Sequence, residues 1–240
     1  MTSQTTVDAL ALAAHRDDIE ITCGGLLVKF ADMGYKTGIV DFTAGEMGTR
    51  GTAQDRENDA SAAAKIIGVT HRENLHMPDA KLQNTLENRM AVATVIRRLK
   101  PRLVILPHWH QRHPDHRVAG EIAYDACYFA GLKKMDIDGE PHRPKKILYT
   151  AFFRQPPYSF LVDITDQYER KTEAVRAYVS QFGTEEGQKS IYQPGINIYD
   201  LMEVEARQLG RLIQKKYAES YVIKEQIEID DPLKMSVPSI

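Results

Sequence analysis

The chain has 240 residues, with 31 basic and 33 acidic side chains and a formal net charge of −2. That length suits one large domain with a sizeable core, and the near-balanced charge excludes a field that would draw the chain to nucleic acid or an anionic membrane. Charged residues interrupt every apolar run before it could span a bilayer. Residues 1–6 lack the basic start and apolar stretch of a signal peptide. A cytoplasmic protein is therefore expected, with Cys23 and Cys127 as reduced thiols.

In chain order, strand and helix patterns alternate. Residues 7–14 read as a buried strand, 19–33 as a helix ended by Gly34, and 36–43 as the next strand. Residues 55–67 form an alanine-rich helix with Gly68 at the position that needs left-handed backbone. A short strand over 70–77 precedes a helix for which Asn84 is the expected cap and Glu87 its capping-box partner. Its apolar stripe is Ala91, Val95, Ile96 and Leu99. Pro101 blocks that helix, and 102–106 is a buried strand. A helix over 115–129 ends near Gly131. Residues 147–153 and 160–164 are strand-like, and 165–182 and 198–217 are long helices. This βαβα order predicts an α/β fold with a mostly parallel, doubly wound sheet, with strands in the carboxyl half able to run antiparallel. No repeat or linker divides the chain, so a single domain over 1–240 is expected, with its core at about 7–220 and a tail at 221–240. Loops 44–54, 133–144 and 183–195 are rich in polar and small residues, as substrate loops and lids often are.

Two strings carry the chemistry: His15-Arg16-Asp17-Asp18 after the first strand, and His113-Pro114-Asp115-His116 after the strand at 102–106. In an open parallel sheet, chain just past neighbouring strands' carboxyl ends lines one crevice, so the two strings can pool imidazoles and carboxylates. That is the ligand chemistry of a catalytic Zn²⁺ site with one position open for water. His15 and Asp18 are three apart and can share a helical face, while Asp17 points elsewhere, free to take a proton. Alternatively, Asp17 and Asp18 merely charge a helix N-terminus, worth about 0.3–1 kcal/mol each. The coincidence of a second cluster argues against that. Of His113 and His116, one completes a His/Asp/His site, and the other can stabilise an oxyanion and protonate a leaving amine. Asp115 can orient that imidazole and raise its pKa. His108 and His110 fit a pocket wall or a local pair, because Arg112 stands where the metallo-β-lactamase pattern needs aspartate. A dinucleotide site fails for want of a G-x-G-x-x-G after the first strand. Arg50, Arg56 and Glu57 lie in or just after a glycine-rich stretch, where a guanidinium can fork onto a carboxylate or sugar hydroxyls.

Ala14-His15-Arg16-Asp17-Asp18 and His113-Pro114-Asp115-His116 resemble the two hallmarks of the LmbE/PIG-L family of zinc-dependent N-deacetylases. The likeness extends to Thr43-Ala44-Gly45-Glu46-Met47-Gly48-Thr49-Arg50-Gly51, Arg56-Glu57 and Asn74-Leu75-His76-Met77-Pro78-Asp79. Pro141-His142-Arg143 and Tyr178-Val179-Ser180-Gln181-Phe182 are most similar to the branch that deacetylates N-acetylglucosaminyl malate in bacillithiol biosynthesis. The resemblance implies a three-layer Rossmann-like fold and Zn²⁺ on His15, Asp18 and His116, a set that Fe²⁺ could also occupy. It further implies Asp17 as general base, His113 as oxyanion-stabilising acid held by Asp115, and Arg50, Arg143 and Tyr178 on the substrate side, with Arg143 able to come from a neighbouring subunit. The expected partners are a small N-acetyl sugar conjugate and further copies of the chain, a hexamer being the family form. Other N-acetyl sugars, such as chitobiose, or a thiol-conjugate amide are the alternatives within the class. A catalytically silent sugar- or metal-binding domain is the alternative outside it, favoured only by Arg16 standing in place of the motif's Pro or Ala.

Overall fold

The computed structural model describes residues 5–151, 156–184 and 196–237. Five strands form one parallel sheet: β1 (Ala9–Ala13), β2 (Thr37–Thr43), β3 (His71–Met77), β4 (Leu103–Pro107) and β5 (Lys146–Thr150), in the order β3-β2-β1-β4-β5. The helices between them are α1 (Asp18–Asp32), α2 (Ala53–Ile67), α3 (Leu86–Leu99) and α4 (Pro114–Ala130). They are followed by β6 (Phe160–Asp163), α5 (Tyr168–Arg176), α6 (Val179–Phe182), α7 (Ile198–Leu212) and β7 (Ala218–Tyr221). The strand alternation sorts the core. Leu10, Leu12, Val40, Phe42, Val104 and Leu106 face one way, into a cluster with Val92 and Ile96 of α3 and Ile122 of α4. Ala11, Ala13, Ile39 and Ile105 face the other, toward Leu27 of α1, Ala63 of α2 and Ala174 of α5. The result is a three-layer α/β/α fold, as expected.

The chain order reverses at β1, whose register pairs Ala9 with Thr37 on one side and with Leu103 on the other. Between β1 and β4 lies the switch point, where a crevice opens at the strands' carboxyl ends. Both motif strings leave from those two ends, so topology alone brings them together.

Several expectations shift. The cap of α3 is Thr85, whose hydroxyl accepts the Asn88 N–H, not Asn84. Asn84 instead accepts from Arg89 Nε at 2.7 Å, and its capping box with Glu87 does not form. The reciprocal box sits on α2, between Thr52 and Asp55. Gly68 ends α2 in the left-handed conformation (φ 88°), as its position predicts. The helix expected over 165–182 starts at Tyr168 and breaks at Ala177 and Tyr178 into α5 and α6, and the one expected over 198–217 stops at Leu212. Beyond it lies β7, an unpredicted strand antiparallel to β6. The strand expected over 147–153 is β5, which ends at Thr150; residues 152 and 153 lie outside the described residues. Cys23 and Cys127 are buried, unpaired thiols, and burial pushes Cys127 up to about 12. Among the described residues no helix is long and apolar enough to cross a membrane.

Candidate metal centre

The turn after β1 delivers His15 and Asp18 together. His15 N–H donates to Asp18 Oδ2 at 2.9 Å, closing the turn that starts α1. From the loop after β4, His116 in the first turn of α4 reaches the same point. His15 Nδ1 lies 3.1 Å from His116 Nε2, His116 Nε2 lies 3.1 Å from Asp18 Oδ1, and His15 Nδ1 lies 3.5 Å from Asp18 Oδ2. A tetrahedral Zn²⁺ with bonds of about 2.0–2.1 Å holds its ligand atoms about 3.3 Å apart. The spacing of the three side chains, with Asp18 meeting each imidazole through a different oxygen, suits such an ion. The donor set agrees, because two imidazole nitrogens and a carboxylate oxygen suit Zn²⁺ or Fe²⁺.

The electrostatics keep the carboxylates anionic. Burial would raise the pKa of Asp18, but His116 and His15 hold it well below the usual range. Burial likewise opposes charge on His15, yet Asp115, Asp18 and Asp79 together hold its pKa well above the ordinary value. The hydrogen bond from His15 lowers Asp79 to about 2.

Asp17 occupies the N-cap position of α1 without capping it, since its carboxylate makes no hydrogen bond to the helix. An aspartate that caps gains about 1 kcal/mol, so the local structure forgoes that gain at the residue next to Asp18. His113 does cap α4: its Nδ1 accepts the Asp115 N–H at 3.2 Å. The neutral ring must then carry its proton on Nε2. Its centroid lies 4.9 Å from that of His15 and 5.0 Å from that of His116.

This corrects the expected role of Asp115. Its main-chain N–H orients His113, while its carboxylate accepts from Ala80 N–H at 2.7 Å and lies 3.8 Å from His15 Nε2. Nor does the pKa of His113 rise. Burial, reinforced by His15 and His116, lowers it against the opposing pull of Asp115.

Tyr178, expected on the substrate side, is 1% exposed. Its hydroxyl donates to the Arg16 carbonyl and accepts from Arg72 Nη2 at 3.0 Å, so it supports the motif turn from beneath. Arg72, which no sequence motif marks, is the hub of that support. Its guanidinium donates to both carboxylate oxygens of Asp41, to Glu20 and to the Arg16 carbonyl. Burial raises Asp41 to about 6 and Glu20 to about 7, with Arg72 opposing both shifts. Charged residues inside strand patterns (Asp41 amid Gly-Ile-Val-Asp-Phe-Thr, Arg72 in β3) were the available signal. Arg16 takes its side chain away from the cluster, to the Ala53 carbonyl at 3.0 Å and to Glu57. The departure at this position thus alters the packing against α2 and leaves the ligands in place.

Arg50 sits in the glycine-rich loop after β2, where its carbonyl accepts from Gln181 Nε2 at 2.8 Å. Arg56 is buried under that loop: a Cβ on Gly45, whose φ is +70°, would overlap its guanidinium. Arg143 is not brought to the cluster within one chain. It stacks on Tyr128, 4.7 Å from the ring centroid, and lines a cavity of about 460 Å³ with Asp8, Leu103 and Lys146, at the strands' amino ends. His108 is buried beside Trp109, and its Nδ1 accepts the His110 N–H at 3.0 Å, the local pairing expected of it.

Burial, with His110 and Lys224 nearby, lowers His108 to about 4. An NMR titration should therefore find this ring neutral down to about that pH. Because the unfolded chain takes up this proton near 6.5, its contribution to stability should fall as pH drops from about 6.5 to 4 and change no further below. A ring that titrates near 6.5 in the folded protein would refute the burial argument.

Fold and cluster together define an α/β protein with a metal-type His/Asp/His centre at the switch point of a parallel sheet. The PIG-L family, described as GlcNAc-PI de-N-acetylase, matches residues 10–127. A diacetylchitobiose deacetylase of Thermococcus kodakarensis is 35% identical over 188 residues, covering 72% of this chain and 69% of that one. The chain belongs to the PIG-L family of deacetylases. Among solved structures, the conserved protein TT1542 from Thermus thermophilus superposes with a TM-score of 0.85 at 35% identity, covering 93% of this chain and 97% of that one. A 4-oxalmesaconate hydratase of Pseudomonas putida is 27% identical over 197 residues, 72% of this chain and 73% of the relative.

Proposed function

We propose that this protein is a Zn²⁺-dependent N-deacetylase that releases acetate and a free amine from an N-acetylglucosamine conjugate. The observation that carries the reading is the convergence of His15, Asp18 and His116 at ion-binding spacing, next in the chain to Asp17, whose carboxylate does not cap its helix. When bound, the ion supplies Lewis acidity and a water that ionises near neutral pH. Asp17 then takes the proton of the attacking water. His113, with its proton on Nε2, donates a hydrogen bond to the developing oxyanion, and the proton that Asp17 took from the water passes to the leaving amine as the C–N bond breaks. Asp115 supports both imidazoles, through its N–H to His113 and its carboxylate near His15.

Within that class the finer reading is N-acetylglucosaminyl malate, with Arg50 of the glycine-rich loop as the fork for malate carboxylates. A homo-oligomer in the cytoplasm would let Arg143 approach the site from a neighbouring copy. The diacetylchitobiose deacetylase among the relatives makes a neutral sugar the competing substrate.

The test is amine and acetate release by Zn²⁺- and Fe²⁺-loaded protein from N-acetylglucosaminyl malate, diacetylchitobiose and N-acetylglucosamine. Equal amounts of amine and acetate from at least one are expected, with the malate conjugate fastest. Faster turnover of diacetylchitobiose would keep the deacetylase and discard the malate assignment. Absence of amine release from all three, with hydration of 4-oxalmesaconate, would replace deacetylation by the chemistry of the hydratase relative.

A further inference from the structure

We propose that Asp79 is a positioning residue: it fixes the tautomer in which His15 can bind a metal and fastens the glycine-rich loop to that ligand. The proposal rests on the reading of His15, Asp18 and His116 as the ligand set.

His15 is held from both sides. Its Nδ1 faces His116 and Asp18, and its Nε2 faces Asp79 Oδ1 at 3.1 Å. A carboxylate has no proton to give, so the proton of this hydrogen bond belongs to Nε2. The neutral ring then carries its lone pair on Nδ1, the nitrogen turned to the ligand cluster. Asp115 Oδ2 lies 3.8 Å from the same Nε2, beyond hydrogen-bond reach, and is occupied by the Ala80 N–H. Asp79 is therefore the group that decides the tautomer. Carboxylates in this relation to a ligating histidine commonly change metal affinity by about 10–100-fold when removed.

The other oxygen of Asp79 accepts the Met47 N–H at 2.9 Å, and Asp79 N–H donates to Glu46 Oε1 at 2.8 Å. Glu46 and Met47 belong to the same glycine-rich loop as Arg50. One buried carboxylate thus joins a metal ligand on one oxygen to the substrate-side loop on the other.

The two oxygens have different duties, which makes the conservative variant informative. Oδ1 accepts from both His15 Nε2 and the Ala80 N–H, whereas Oδ2 accepts only from Met47. Asp79→Asn should place its amide oxygen at the Oδ1 position and its NH₂ against the Met47 N–H. It would then keep the His15 tautomer and release the loop. Asp79→Ala should lose both.

Zn²⁺ affinity is measured by competition with a chromophoric chelator, the His15 tautomer by imidazole ¹⁵N shifts of the metal-free protein at a pH where the ring is neutral, and loop fastening by hydrogen exchange at the Met47 amide. Asp79→Ala is expected to bind Zn²⁺ about 10–100-fold more weakly, with the Nε2–H tautomer no longer dominant. Asp79→Asn is expected to keep that tautomer while Met47 exchange speeds up. Thermal unfolding of the metal-free variants checks that each is folded; should Asp79→Ala not fold, the two Asp79→Asn readouts decide alone. An Asp79→Ala protein that binds Zn²⁺ within twofold of the parent with Nε2–H intact overturns the positioning role. Unchanged Met47 exchange in Asp79→Asn overturns the link to the loop. His15→Ala separates the two levels of inference: normal Zn²⁺ binding by that variant would sink the ligand assignment itself, whereas its loss alongside normal Asp79 variants would sink the positioning role alone.

Discussion

His15→Ala, Asp18→Ala and His116→Ala are each expected to lose bound metal, whereas Asp17→Asn keeps it and loses about 10²–10⁴-fold in kcat. The contrast follows from geometry. The two imidazole nitrogens lie 3.1 Å apart, and the Asp18 carboxylate meets one through each oxygen, at 3.1 and 3.5 Å, so the three candidate ligands converge on one place. Deleting any one leaves two donors, too few for a site that must also keep a position open. Asp17 contributes no atom to that set, and its carboxylate does not hold the helix. Replacing it with its isosteric amide therefore removes a proton acceptor while leaving fold and coordination in place. Metal content by elemental analysis, beside single-turnover rates, separates the two outcomes. Near-normal turnover by metal-loaded Asp17→Asn would remove it as the base. Loss of metal from Asp17→Asn would move it among the ligands.

The site was legible because it is short-range in sequence and set by topology. His15 and Asp18 lie within one turn, His113 and His116 within another, and adjacency of β1 and β4 does the rest. What stayed hidden depends on partners distant in sequence. Arg72 reads as an ordinary charge in a strand until Asp41, Glu20 and the Arg16 carbonyl are seen around it. Asp79 ends one of the stretches that resemble the family, yet only the fold shows that its oxygens reach His15 and Met47. A sequence motif carries no depth coordinate, and burial moves Tyr178 from the substrate side to the support of the turn. The strand β7 escaped because Ala-Glu-Ser-Tyr has almost no apolar alternation. It is a strand through its pairing with β6, reinforced by an isolated bridge from Val222 to Tyr149. Asn84 and Thr85 are both good caps. Side-chain demands from Arg89 and Asp125 engage Asn84 elsewhere.

Glu219 of β7 should be among the most costly residues to remove outside the metal centre, although nothing in its sequence neighbourhood marks it. Helix α1 leaves helical geometry at Cys23 (φ −138°, ψ 18°), so main-chain N–H groups just beyond the break need acceptors. Glu219 supplies them: Oε1 accepts from Gly25 N–H and Oε2 from Leu26 N–H, each at 2.8 Å. Its remaining capacity is filled by Lys171 Nζ and the Tyr221 hydroxyl, both at 2.7 Å. All of this is buried, with the Glu219 and Lys171 side chains 3% and 6% exposed. Glycine at 25 is required too, since a Cβ there would lie 2.8 Å from Glu219 Oε1 and from Ile164 Cδ1. Truncation to alanine strands a buried ammonium and two main-chain donors together. Breaking a buried pair in this way costs about 3–5 kcal/mol, or roughly 6–20 °C in Tm at this chain length. Lys171→Met should cost less, because the carboxylate it leaves behind keeps three donors. Glu219→Gln should not rescue, because each oxygen already serves two donors and an NH₂ group in either place opposes both. Thermal unfolding of the three variants, with zinc affinity measured on any that remain folded, tests the ordering. If Lys171→Met proved the more damaging, the ion pair would matter more to stability than the capping of the broken helix. A Glu219→Gln protein as stable as the parent would show that the carboxylate's charge and its fourfold acceptance are both dispensable.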